Sequence, residues 1–259
     1  MKIATWNVNS LRPRLDHLAR YASEAQPDVL CLQETKVVDE DFPHMACEAA
    51  GYPHRAIFGQ KTYNGVAILS KRPLSDVATN FTLGPPDEQA RVIRARVAGV
   101  LIINVYVPNG SPINSPKFSY KLDWYARMRA ELDAIATPDE PVLLCGDMNV
   151  APTDADVYDP FETQGQVLCS APERQALKDL TGWGLTDAWR KKNPFAPDYS
   201  WWDYRGGGFR YNHGFRIDHV YLSRPAMRRC AAAGIDRDPR TWDRPSDHTP
   251  VWVKLKDEA

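Results

Sequence analysis

No stretch of this sequence is long and apolar enough to cross a bilayer. The longest apolar run, residues 100–107, is short and is broken by Asn104. The opening residues Met-Lys-Ile-Ala-Thr-Trp-Asn lack the apolar region of a signal peptide, so a cytoplasmic protein with no membrane partner is expected. Zinc spacing is missing too. The five cysteines, Cys31, Cys47, Cys145, Cys169 and Cys230, form no CxxC and no Cys/His pattern. Their odd number suits free thiols in a reducing compartment better than a disulfide scaffold. Charge of one sign is not in excess. The 32 basic and 33 acidic residues leave a net charge of -1, which excludes a uniformly basic coat for nucleic acid and leaves only a local patch for such a partner. Neither an internal repeat nor a low-complexity linker divides the 259 residues, and one domain over 1–259 is expected.

What is present is a set of short apolar runs. The spans 2–6, 28–32, 66–70, 92–97, 101–107, 142–145, 216–222 and 251–255 read as strands, the last alternating Val251, Val253 and Leu255 against Trp252 and Lys254. Asn64-Gly65 is a hairpin-turn signal ahead of one of them. Between the strands lie helical patterns. One is capped by Ser10 and carries Leu11, Leu15, Leu18 and Ala22. A second runs over about 117–136 with the stripe Leu122, Tyr125, Met128, Leu132 and Ile135. A third starts near Pro172 and stops at Gly182. Strands outnumber helices without strict alternation, which predicts mixed sheets covered by helices on their outer faces.

The chemistry collects where strands end. One run leads into Asn7 and Asn9, another into Glu34 and Lys36, a third carries Tyr106 and ends in Pro108-Asn109, and a fourth leads into Asp147 and Asn149. Asp218 and the Asp247-His248 pair flank two more. Each residue alone also fits a turn or a solvated surface charge; their number points to one rim of a sheet scaffold, where α/β proteins bind ligands. Glu34, Asp147 and Asp247 offer hard carboxylate oxygens, and Asn7 and Asn149 offer amide oxygens. That set suits Mg²⁺, with Mn²⁺ as substitute, and suits zinc poorly. With a His/Asp pair, a tyrosine and amide donors, it supplies the groups needed for phosphodiester hydrolysis.

These segments, in order, resemble the exonuclease III family of abasic-site endonucleases, within the endonuclease/exonuclease/phosphatase superfamily. The resemblance is carried by Trp6-Asn7-Val8-Asn9, Leu32-Gln33-Glu34-Thr35-Lys36, Asn64-Gly65-Val66-Ala67-Ile68 and the run from Asn104 to Gly110. It continues in Gly146-Asp147-Met148-Asn149-Val150, Trp202-Asp203-Tyr204-Arg205, Arg216-Ile217-Asp218-His219 and Ser246-Asp247-His248. It implies an α/β (α+β) four-layer sandwich of DNase I type, two packed mixed sheets flanked by helices. It also implies roles. Glu34 and Asn7 hold the metal, with Asp247 a ligand or just behind one. Asp147 activates the water or protonates the leaving group. His248, paired with Asp218, binds the scissile phosphate or acts as base. Tyr106 and Asn149 orient phosphate and nucleophile, and Asn109 donates to the same phosphate. Trp201, Phe215 and Ile217 read as an apolar pocket for a flipped, base-less deoxyribose, and the charges close in sequence to these segments, Lys36, Lys61, Arg91 and Arg205, are candidates for contacts with DNA phosphates.

The implied activity is Mg²⁺-dependent cutting of duplex DNA on the 5′ side of abasic sites by a monomer, with 3′→5′ exonuclease and 3′-phosphatase activity on blocked 3′ ends. Three other readings share the rim: a 3′-end-processing enzyme that cuts abasic sites little, a superfamily phosphatase of inositol lipids or a sphingomyelinase, and a catalytically silent DNA-binding scaffold. The segments 202–205 and 32–36 favour the DNA branch.

Overall fold

The computed structural model describes residues 1–257. Its strands are β1 (Lys2–Asn7), β2 (Val29–Gln33), β3 (His54–Phe58), β4 (Val66–Ser70), β5 (Ser75–Thr79), β6 (Val92–Val97) and β7 (Val100–Tyr106). They continue with β8 (Val142–Asp147), β9 (Leu185–Asp187), β10 (Trp201–Trp202), β11 (Gly214–Phe215), β12 (Asp218–Ser223), β13 (Cys230–Ile235) and β14 (Val251–Leu255). The α-helices are α1 (Leu15–Glu24), α2 (His44–Ala49), α3 (Pro116–Ile135), α4 (Pro160–Thr163), α5 (Ala171–Thr181), α6 (Ala188–Lys192) and α7 (Arg224–Arg229).

Two six-stranded sheets form, in the orders β13-β14-β1-β2-β4-β3 and β5-β6-β7-β8-β12-β9. The pairs β1–β2 and β7–β8 are parallel and their neighbours antiparallel, so both sheets are mixed. Side-chain alternation explains the layering. In β2, Val29 and Cys31 face the other sheet, while Leu30 and Leu32 face outward among α1 residues Leu18 and Tyr21. In β7, Ile102 faces inward, and Leu101, Ile103 and Val105 meet Trp124, Met128 and Leu132 of α3. Central strands buried on both faces read as unbroken apolar runs rather than alternating ones. One polar clamp crosses the inter-sheet core just below the rim. Gln33 Nε2 donates to Thr5 Oγ1 (2.8 Å) and Asn104 Oδ1 (2.6 Å), and Asn104 Nδ2 donates to the carbonyls of Leu32 and Ala67.

Several local expectations are corrected. Ser10 does not cap α1; its backbone is left-handed, its N–H reaches the Glu34 carbonyl (2.8 Å), and α1 begins only at Leu15 after a 3-10 turn, Arg12–Arg14. Asn64-Gly65 closes a longer loop, 59–65, instead of a two-residue hairpin, and its carbonyls accept from Lys36 and Thr35. The strand expected over 216–222 starts at Asp218, because the N–H groups of Arg216 and Ile217 go to the Asp156 carbonyl and Ser200 Oγ. In α3 the buried face contains Trp124, Lys121 and Glu131, whereas Leu122 and Ile135 are only half-buried. The edge strands β3, β5 and β13 escape the sequence reading because they are polar or rich in alanine, as exposed edges tend to be.

Candidate active site

Both sheets end at the same rim. β1 and β2 finish together at Asn7 and Gln33, β7 and β8 finish together at Tyr106 and Asp147, and β12 begins with Asp218 directly opposite Asp147. The turn before β14 returns to this rim, where Ser246 Oγ donates to the Asn7 carbonyl (2.7 Å) and the Trp6 indole donates to the His248 carbonyl (3.2 Å). Gly146 is needed for the approach. Its φ is +139°, and a Cβ there would lie 1.9 Å from the Val105 carbonyl oxygen. Glu34, Lys36 and Asn149 all carry left-handed backbone, at φ 51°, 53° and 50°, so local strain gathers at the rim.

Glu34, Asp147 and His248 bring ligand atoms within 4.8 Å of one another. Asn7 Nδ2 donates to both carboxylates, Glu34 Oε1 at 2.9 Å and Asp147 Oδ2 at 3.0 Å. His248 Nδ1 lies 2.8 Å from Asp218 Oδ2, and its Nε2 lies 3.7 Å from Asp147 Oδ2. Burial opposes charge on this imidazole, but the carboxylates of Asp218 and Asp147 outweigh it and push its pKa up to about 10. The ring therefore faces the rim as a cation at neutral pH. Burial acts the other way on Asp147. Despite the nearby His248 cation, it pushes the carboxyl pKa up to about 7. Tyr106 stays a neutral phenol, raised by burial and by Glu34 and Asp147.

A divalent cation fits this group. Two carboxylates converge, with Lys36 (Nζ 3.0 Å from Glu34 Oε2) and the His248 cation beside them. Oxygen donors of this kind favour a hard ion. Glu34 and Asp147 are the side chains turned to that point. The other expected ligands have protein partners in this structure. Asn7 presents its nitrogen, since its Oδ1 closes a turn onto the Asn9 N–H (3.0 Å). Asn149 Oδ1 accepts from Asn109 Nδ2 (3.0 Å), and its Nδ2 donates to the Val107 carbonyl (2.8 Å). Asp247 accepts from Asn9 Nδ2 (2.9 Å) and the Trp201 indole (3.0 Å). Short polar side chains in turns satisfy local partners first.

Beside this cluster lies a cleft of about 460 Å³, walled by Trp201, Phe215, Tyr158, Leu168 and Asn109. The Trp201 ring stands 5.5 Å from Phe215 and 6.4 Å from His248, linking the cleft to the reacting groups. Ile217 does not line it. It is buried behind the wall with Ala151 and Val157. A second cleft, of about 680 Å³, lies on the other side of Asn109 and is lined by Tyr63, Arg91, Tyr106 and Lys117. Asn109 thus stands between two grooves, as a group holding a phosphate within a continuous strand would.

The four expected DNA contacts separate. Lys36 sits inside the cluster, donating to Asn9 Oδ1 (2.6 Å) as well as pairing with Glu34. Arg91 is only 8% exposed. Its guanidinium packs over the Tyr106 ring (4.6 Å) and donates to the Tyr106 carbonyl (3.0 Å), so at the second cleft it also positions the tyrosine. Arg205 is exposed at the mouth of the first cleft, paired with Asp203 at 2.8 Å. Lys61 is exposed in the 59–65 loop. Sequence reasoning missed Lys121 and Glu173, a buried pair beneath Asn109 and Asn149. The Ser170-x-x-Glu173 spacing ahead of α5 was the available signal for the second of them.

Two packed mixed sheets with a carboxylate, imidazole and amide cluster at one rim define a class of metal-dependent phosphate-ester hydrolases. Residues 4–248 match the model of the endonuclease/exonuclease/phosphatase family, and the chain belongs to that family. It is similar to exodeoxyribonuclease III of Haemophilus influenzae, at 40% identity over 99% of this chain and 100% of the relative. Among solved structures it is similar to a 3′ phosphatase, NExo, from Neisseria bound to product DNA hairpin. That match has 41% identity, 99% of each chain covered and a TM-score of 0.95. It is also similar to an AP endonuclease from Archaeoglobus fulgidus, with 38% identity, 99% of each chain covered and a TM-score of 0.94. The architecture is the DNase I-like one, and the chain is a hydrolytic nuclease of a metal-dependent family.

Proposed function

We propose that this DNA repair nuclease cuts duplex DNA on the 5′ side of abasic sites and also clears blocked 3′ ends, as a 3′→5′ exonuclease and 3′-phosphatase. The observation that carries the reading is the Glu34–Asp147–His248 cluster set directly against the Trp201–Phe215 cleft. Its likeness to relatives named for exodeoxyribonuclease, 3′-phosphatase and AP endonuclease activity supports the same reading. The ion would be Mg²⁺, with Mn²⁺ as substitute, held by Glu34; when bound it would supply positive charge to the phosphoryl and leaving oxygens.

The chain's own groups do the rest. His248, charged and fixed by Asp218, binds the scissile phosphate, and its raised pKa leaves it poorly suited to accept a proton at neutral pH. Asp147 is the proton carrier, because a carboxyl held near pH 7 matches the operating range. Asn109 and the Tyr106 phenol hold the phosphate oxygens, and Asn149 fixes Asp147 through its N–H (2.9 Å). Trp201 and Phe215 receive the base-less sugar. Their aromatic walls exclude water, which strengthens the charge interactions beside them.

The whole chain works as one monomeric domain in the cytoplasm. Its five free, buried cysteines are consistent with that compartment, and no helix of the described residues is long and apolar enough to cross a membrane. The test is a labelled duplex with one stable abasic analogue, incubated with Mg²⁺ or with excess EDTA and resolved on a denaturing gel. A single Mg²⁺-dependent cut immediately 5′ to the analogue is expected. No cut, with a 3′-phosphate still removed, restricts the enzyme to 3′-end processing and rejects the sugar pocket.

A further inference from the structure

A lysine and a glutamate lie fully buried under the rim. Lys121 of α3 and Glu173 of α5 both have 0% side-chain exposure, and Nζ stands 2.5 Å from Oε1. The other two ammonium protons are also spoken for. Lys121 Nζ donates to the carbonyl of Asn149 at 2.7 Å and to that of Asn109 at 3.0 Å. Three donors meet three acceptors, so the charge is fully satisfied. Glu173 holds the segment before α5. Its Oε1 also accepts from the Leu168 N–H (3.0 Å), and its Oε2 accepts from Ser170 N–H (3.0 Å) and Oγ (2.5 Å). The pair therefore holds the backbone of two residues that line the first cleft, Asn109 and Leu168, and of Asn149 beside Asp147.

We propose that the Lys121–Glu173 pair is a positioning clamp that fixes the distance between the asparagines at the phosphate and the Leu168 wall of the cleft. This rests on the reading that Asn109 and Asn149 serve the phosphate and Asp147. Two independent features support it. Leu168, held at one end, is in left-handed backbone at φ 75°, which leucine seldom adopts and which persists only where surroundings enforce it. The loop also lies close on the lysine stem: a Cβ on Gly110, at φ +83°, would lie 2.8 Å from Lys121 Cδ. Stability gives no reason for the charges, because a buried ion pair is commonly replaceable by apolar groups without loss. Placement does, since misplacing a reacting group by an ångström costs about 10²-fold in rate.

The test separates placement from folding. The double variant Lys121→Met/Glu173→Gln removes both charges together and leaves no unpaired one. It is expected to melt within a few degrees of the parent and to need the same Mg²⁺ for half-maximal activity. On the abasic-analogue duplex its kcat should fall about 10- to 100-fold, with KM within about threefold. A kcat within about twofold of the parent, or a rise in KM alone, overturns the clamp. Should the double variant not fold, Glu173→Asp keeps both charges and shortens the reach to Lys121, Leu168 and Ser170 by one methylene, and the same split is expected at about fivefold or more in kcat; unchanged kcat overturns the proposal there too. If the parent cuts no abasic site, the comparison is run on a 3′-phosphate duplex. The clamp then stands or falls separately from the choice of substrate.

Discussion

At the scale of single residues, the rim divides charge between groups that look alike in sequence. Glu34 and Asp147 face a common point, whereas Asp247 spends both oxygens on Asn9 and Trp201. Glu34→Gln should therefore raise the Mg²⁺ needed for half-maximal activity about tenfold or more, which a metal titration of the cleavage rate measures. An unchanged titration would take Glu34 out of the metal site. His248→Ala should lower kcat about 10²-fold or more, the scale of losing a charged group aimed at the transition state; a drop below about tenfold makes His248 a support for Asp147. The reacting side chains were legible in sequence because carboxylates, histidine and asparagine follow apolar strands at several points. Their donor and acceptor assignments were not. Whether Asn7 offers oxygen or nitrogen depends on Asn9 two residues on, and whether Arg91 is free depends on a tyrosine fifteen residues away.

At the scale of elements, the segment between β8 and β12 shows what periodicity hides. Residues 154–171 carry none of the segments that convey the resemblance, yet Asp156 there anchors the start of β12. Its Oδ1 accepts from Arg216 Nε at 2.7 Å and Arg190 Nη2 at 2.6 Å, and Arg216 Nη1 lies 2.8 Å from Asp187 Oδ2. Buried charges of this kind read as surface in a sequence, as Lys121 and Glu131 of α3 also did, because their partners lie on other elements. Burial alone would raise the Asp156 pKa, but Arg216 and its hydrogen bonds hold it below the usual carboxylate range. The same guanidinium lowers Asp187, again against the opposing effect of burial. A carboxylate with a depressed folded-state pKa stabilises the fold fully above its unfolded value, about 3.9, and that contribution fades as pH falls through the folded value. Asp156→Asn should therefore be less stable than the parent near neutral pH, with the gap narrowing steadily below about pH 4 in urea unfolding. A gap independent of pH would place its effect in packing alone. The central strands were readable because both of their faces are apolar; the edge strands carried no such signal, and the buried face of α3 mixes Lys121 and Glu131 into its apolar residues.

At the scale of the molecule, two sheets contribute to one site, and neither is sufficient. Glu34 and Asn7 come from one, Asp147, Tyr106 and Asp218 from the other, and Gln33 and Asn104 tie the sheets together beneath them. A net charge of -1 provides no general attraction for DNA, so contacts with its phosphates have to be local. The central claim is that this one constellation performs abasic cutting, 3′-phosphate removal and exonuclease trimming alike. The most direct test is Asp147→Asn assayed on all three substrates in Mg²⁺, with duplex binding measured alongside. The account predicts that all three rates fall together by about 10³-fold or more while binding is kept. One activity surviving near its parent rate would place that reaction at a different site and contradict the account.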